Sequence, residues 1–154
     1  MNTTIYNNLY LCENYNSYQI ITLWHVLEHL PDLHTTIKHL KKLLTKQGRI
    51  LFALPNVDSF DAKKYREFWA AYDVPRHLYH FSQNTFKKLL KQHGMKVKII
   101  MPMRFDAFYV SLLSERYKNK YFNYTKSFIN GCISNSYARK NKNNYSSLIY
   151  IVKK

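Results

Sequence analysis

The sequence predicts an α/β domain built on a largely parallel sheet. Three observations predict it. Two continuous apolar runs bearing β-branched residues, Gln19–Trp24 and Arg49–Leu54, flank a helical pattern, and a third such run, Ser147–Val152, lies near the end. Continuous apolar runs belong to strands covered on both faces. Strand, helix and strand within the 36 residues from Gln19 to Leu54 make a βαβ unit, which crosses over right-handed.

The elements follow in order. Leu9–Cys12 is the one short candidate for a strand before Gln19. After Pro31, Asp32 caps a helix with apolar residues Leu33, Ile37, Leu40 and Leu44 on one face, and Gly48 is expected to stop it. The strand Arg49–Leu54 ends at Pro55-Asn56. Tyr65, Phe68, Trp69 and Tyr72 stand at i, i+3, i+4 and i+7, which predicts one helix over Phe60–Tyr72 with an aromatic face. Asp73–Phe81 (DVPRHLYHF) has no period and reads as a structured loop. Ser82 caps the next helix, with Phe86, Leu89 and Leu90 inside, Phe81 and Phe86 placed as a hydrophobic staple, and Gly94 as the stop. Met95–Met101 alternates apolar residues with Lys96 and Lys98, as an edge strand guarded by charge does. Phe105, Phe108, Tyr109, Leu112 and Leu113 mark a further helix, expected to bury that face. Residues 118–145 read as part helix and part loop, held down by Phe128, Ile129, Cys132 and Ile133.

Composition bounds the function. The 154 residues suit one domain, and 46% hydrophobic content excludes a disordered chain. No apolar run reaches the roughly 18 residues of a membrane span, and no basic leader opens the chain, so neither a membrane protein nor a secreted one is expected. Cys12 and Cys132 stand in no metal or redox spacing and point to a reducing, cytoplasmic setting. The net charge of +15 is uneven: −3 over residues 1–36 and +18 over residues 37–154. No nucleic-acid motif accompanies the lysines, which read as solvated helix faces; nucleic-acid binding is thus the minor alternative.

Two segments carry chemistry. His25–His29 (HVLEH) matches the H-x-x-E-H pattern, in which two His hold zinc beside a general-base Glu. Its setting at a strand end, cut short by Pro31 and with only Glu67 or Glu115 as a third ligand, disfavours a zinc hydrolase, and no metal is expected. Polar residues at the carboxyl end of a parallel strand face the crevice where such sheets bind ligands. Asn56, Arg76, His77 and His80 can reach that crevice. A bland role for each His, capping a helix or satisfying backbone, stands beside this one. Neither a nucleophile motif nor a glycine-rich phosphate loop is present; Gly48, Gly94 and Gly131 are scattered.

Together, Tyr18–Asp32, Leu44–Asn56 and Asp73–Ser82, with the tail segments Met103–Glu115 and Tyr145–Lys154, resemble class I S-adenosylmethionine-dependent methyltransferases of the bacterial small-molecule type with an HVLEH turn. The resemblance implies a Rossmann-like sheet of seven strands, of which residues 18–154 supply the fourth to seventh. The last strand would be antiparallel between the fifth and sixth, and residues 1–17 would be an irregular N-terminal segment. It implies S-adenosylmethionine as cofactor, flanked by Trp24, His25 and Glu28, and a small-molecule or glycan-type acceptor near Asn56, Arg76, His77 and His80. His77 or His80 would then be the base if the acceptor must lose a proton. The family's glycine-rich turn and its ribose-binding acid have no counterpart in residues 1–17. The expectation is therefore a truncated or split enzyme. Its Gln19–Trp24 edge would await a complementing N-terminal chain or a second copy. A non-catalytic interaction module derived from a methyltransferase is the alternative.

Overall fold

The computed structural model describes residues 9–154. Four strands form one sheet: β1 (Tyr18–Trp24), β2 (Leu44–Pro55), β3 (Lys96–Met103) and β4 (Ser147–Lys153), in the order β1-β2-β4-β3. β1 and β2 are parallel, and β4 runs antiparallel to both its neighbours. The final strand thus lies between the second and third, as the resemblance implies and its interior-type sequence agrees, and the lysine-bearing β3 takes one edge.

Between them run α1 (Leu33–Leu43), α2 (Phe60–Tyr65), α3 (Gln83–Gln92), α4 (Asp106–Asn119) and α5 (Tyr124–Lys140). Asp32 caps α1 by accepting from the Thr35 amide at 3.0 Å. Ser82 and Thr85 form a reciprocal capping box on α3, and the Phe81 and Phe86 rings meet 5.5 Å apart as the staple. Gly94 closes α3 at φ 62°, a left-handed conformation that favours glycine. Leu27, Ile37, Leu40, Ile50, Phe52, Phe86, Leu90, Leu148 and Tyr150 build the main core. A second cluster gathers Ala62, Tyr65, Trp69 and Val110.

Five expectations need correction. Leu9–Leu11 is a 3-10 turn, not a strand. α1 stops at Leu43, and Leu44 already belongs to β2, so Gly48 is no helix stop. Gly48 instead lies where a Cβ would stand 2.7 Å from the buried Leu44 side chain, so its role is close approach. The Phe60–Tyr72 helix breaks at Arg66, whose φ is 51°, into α2 and two 3-10 turns; the break lets Trp69 turn inward and donate to Asp61 at 2.8 Å. On α4 only part of the expected face is covered: Phe105 is 87% and Tyr109 64% exposed, Phe108, Leu112 and Leu113 are half-buried, and the buried positions are Ala107, Val110, Ser111, Ser114 and Glu115. α5 repeats this: Phe128, Ile129, Cys132 and Ile133 are exposed, and Ser127, Asn130, Gly131, Ser134 and Ala138 are buried. Small residues let α4 and α5 approach closely, while Asn130 donates to Tyr65 and Glu115, and Ser134 to Asp61.

β1 forms the other edge of the sheet, and among the described residues no strand pairs with its free side. That side is not guarded by lysine: Ile20 is 65% and Trp24 51% exposed. No helix among the described residues is long and apolar enough to cross a membrane.

Candidate functional site

The parallel ladder ends with Trp24 opposite Ala53, and the His25 amide adds one more bond to the Ala53 carbonyl at 3.1 Å. His25 then leaves the strand at φ 51°. A non-glycine residue in that region costs of order 1 kcal/mol and persists where its surroundings impose it, often at a site. The surroundings here are two carboxylates. His25 Nε2 lies 3.4 Å from Asp106 Oδ2 of α4, and Nδ1 lies 3.2 Å from Glu28 Oε1 in its own turn. The hydrogen bond to Asp106, and next the one to Glu28, raise the imidazole from 6.5 to about 9, against partial burial. His25 is therefore an imidazolium at neutral pH, donating from both nitrogens.

The loop from Asp73 to Phe81 is strapped onto the same turn. The amides of Leu78 and Tyr79 both donate to the Glu28 carbonyl, at 2.8 and 3.3 Å, and the Tyr79 hydroxyl donates to the Pro31 carbonyl at 2.8 Å. His29 Nδ1 meets the Arg76 carbonyl at 3.0 Å, and the His29 and His77 rings pack edge to face at 4.6 Å. His77 Nδ1 is held by the Ala71 carbonyl at 2.8 Å, and Arg76 pairs with Asp73 at 2.8 Å.

Turn, loop and α4 enclose a pocket of about 500 Å³ lined by His25, Arg76, His77, Asp106, Tyr109 and Tyr117 among others. That volume suits a small organic molecule. Of the residues singled out by sequence, His25, Arg76 and His77 line it. Glu28 is buried directly behind His25. Trp24 is half-exposed at the strand end and lies outside the lining. Asn56 is buried and committed to structure: its Nδ2 donates to the Tyr145 carbonyl at 3.1 Å, and its Oδ1 accepts from the Asp58 amide at 3.2 Å. His80 points to the Tyr72 carbonyl at 3.0 Å and does not line the pocket.

The H-x-x-E-H arrangement, with His25 and His29 sharing one ion, does not form. Both nitrogens of His25 are engaged by carboxylates. Of the suggested third ligands, Glu67 is exposed, and Glu115 accepts from Tyr65 at 3.0 Å and pairs with Lys126 at 3.1 Å. Sequence reasoning missed Asp106, Tyr109 and Tyr117. Asp106 had a signal: it and Glu115 are the only acids after Asp73. Tyr109 reads as part of the apolar face of its helix, and Tyr117 lies in a Lys-, Asn- and Tyr-rich stretch with no signal of its own.

A family model described as a methyltransferase domain matches residues 8–98. Solved structures share the fold at low identity. The mitomycin 7-O-methyltransferase MmcR superposes with a TM-score of 0.55 at 12% identity, over 91% of this chain and 30% of its own. The [4+2]-cyclase SpnF gives 0.53 at 11%, over 95% and 54%. The phosphoethanolamine N-methyltransferase 2 of Haemonchus contortus, solved with phosphomonomethylethanolamine and S-adenosylhomocysteine, gives 0.51 at 12%, over 90% and 34%. The chain thus spans about a third to a half of the length of these structures. No curated protein matches it.

Proposed function

The chain belongs to the methyltransferase-domain family, and from that premise we propose that it carries the acceptor side of an S-adenosylmethionine-dependent methyl transfer to a small-molecule or glycan-type acceptor. The observation that carries this reading is the pocket at the carboxyl end of β1, walled by the His25–Asp106 pair and opened by Tyr109, Tyr117, Arg76 and His77. A fold alone would not carry it, since the same fold also houses a cyclase.

The cofactor, when bound, supplies an electrophilic methyl group on a sulfonium. Its adenine, ribose diol and zwitterionic amino-acid group need stacking, a carboxylate and several donors. At the end of β1 the described residues offer Trp24, His25 and Glu28; His25 engages Asp106 Oδ2 and Glu28 Oε1, and Glu28 is buried. This is one wall, and it does not fit the whole cofactor. The remainder has to come from further polypeptide, in the same chain or a second one. The free side of β1, with Ile20 and Trp24 exposed, is the place where it would add to the sheet.

The chain's own residues then do three things. His25, held as a cation, stays fixed between turn and α4 and presents positive charge to the pocket; it is not a base. His77 lines the pocket and donates Nδ1–H to the Ala71 carbonyl, which leaves the lone pair on Nε2. The apolar faces of Tyr109, Val110 and Leu113 exclude water from an acceptor.

The test is transfer of a labelled methyl group to a panel of phenols, sugars and amines. It is run with the chain alone and with the chain plus the product of an adjacent reading frame bearing a glycine-rich turn. Label is expected with the mixture only, and Asp106→Asn should lower it at least tenfold, a loss of about 1.4 kcal/mol of transition-state stabilisation. Absence of label from every mixture would overturn the reading.

A further inference from the structure

We propose that Glu28, His29 and His77 form a binding site for one borderline divalent transition cation of the Zn²⁺ type. The residues come from the two segments that the backbone straps together, and one ligand atom of each lies within 4.8 Å of those of the other two. Three independent features make this more than a chance cluster.

The first is tautomer control. Both imidazoles set Nδ1 against a backbone carbonyl, His29 on Arg76 and His77 on Ala71. A carbonyl only accepts, so each Nδ1 carries the proton and each Nε2 keeps its lone pair. Histidines that bind metals are oriented in this way, the second nitrogen tied to a carbonyl or carboxylate. The second is Glu28, only 1% exposed, whose Oε1 serves His25 while its Oε2 has no hydrogen-bond partner among the described residues. A buried carboxylate oxygen without a donor is costly, and a cation beside it removes the cost. The third is Asp73, whose Oδ2 lies 4.0 Å from His77 Nε2 and supplies a carboxylate outside the three ligands.

Two imidazoles and one carboxylate suit Zn²⁺ and its neighbours; Mg²⁺ and Ca²⁺ prefer oxygen alone. Bonds of about 2.1 Å place tetrahedral ligands roughly 3.4 Å apart, so the side chains close by about an ångström on binding. The exposed His29 ring has room to make that movement. The ion would fasten the Asp73–Phe81 loop to the turn at Glu28, and His77 would act as a ligand in place of a base. With three protein ligands a coordination position stays open beside the pocket, fit for an acceptor hydroxyl. This last consequence rests on the methyl-transfer reading, whereas the site itself does not.

The test is calorimetric titration of Zn²⁺ into the full chain stripped with chelator, with Co²⁺ absorption reporting the ligand field. One ion per chain is expected. Its affinity should fall at least roughly tenfold in His29→Asn and in Glu28→Gln. It should be unchanged in His34→Asn, which removes the exposed His34–His93 pair, 2.9 Å apart and the most evident adventitious chelate. His29 is exposed, so His29→Asn keeps the fold and decides the matter even if Glu28→Gln unfolds. Absence of binding, binding indifferent to His29→Asn, or binding lost in His34→Asn would each overturn the proposal. None of these readouts requires S-adenosylmethionine or an acceptor, so a failure of methyl transfer leaves them standing.

Discussion

His25 and Asp61 show how single residues position this site. His25 is raised to about 9 by its two carboxylates, so its stabilisation is complete below its ordinary value of 6.5 and is lost as pH rises through about 9. The difference in thermal midpoint between the chain and His25→Gln should therefore be constant below pH 6.5 and vanish above 9. A difference that grows with pH would contradict the ion pairs. Asp61 is fully buried and accepts from Trp69 at 2.8 Å, Ser134 at 2.8 Å and Ser146 at 2.6 Å, joining α2, α5 and the entry to β4. Asp61→Ala strands three donors and should cost about 3 kcal/mol or more in urea unfolding. Sequence pattern exposed the polar turn after β1 because apolar periodicity stops there. It could not show that His25 adopts a left-handed backbone or that Asp106, 81 positions later, closes on it.

At the scale of elements, β1, β2 and β4 were legible as short continuous apolar runs, and α1 and α3 as single apolar faces with a local cap that agrees with them. α4 was legible as a helix and α5 in part, but their inner faces were not. Phe105, Tyr109, Phe128, Ile129 and Ile133 face outward, since the inner positions answer to a neighbour that needs small and polar side chains. Lys64, Tyr65, Glu115, Lys126 and Asn130 form one hydrogen-bonded group across α2, α4 and α5, and hydropathy cannot see such a group. Gly131 marks the closest approach: a Cβ there would stand 2.4 Å from the Phe108 ring. Gly131→Ala should destabilise the chain by about 1–3 kcal/mol through overpacking. Unchanged stability would mean that the two helices are free to separate.

For the whole molecule, the lopsided sheet connects fold to function. One edge, β3, carries Lys96 and Lys98; the other, β1, exposes Ile20 and Trp24. The charge is lopsided too, −3 over residues 1–36 against +18 beyond them, and β1 itself carries no charged residue. An apolar edge without guarding charge recruits another strand. Light scattering should accordingly report self-association of the chain alone, reduced in Ile20→Lys; a monomer in both would show that the edge is inert. The central claim is that these residues are the acceptor side of a methyltransferase and one wall of its cofactor site. Its most direct test is calorimetric titration of S-adenosylmethionine into the chain alone and into the chain with the glycine-rich partner segment. No saturable binding is expected to the chain alone, and saturable binding, weakened by Ile20→Lys, is expected to the pair. Tight binding to the chain alone, or none to the pair, would contradict it.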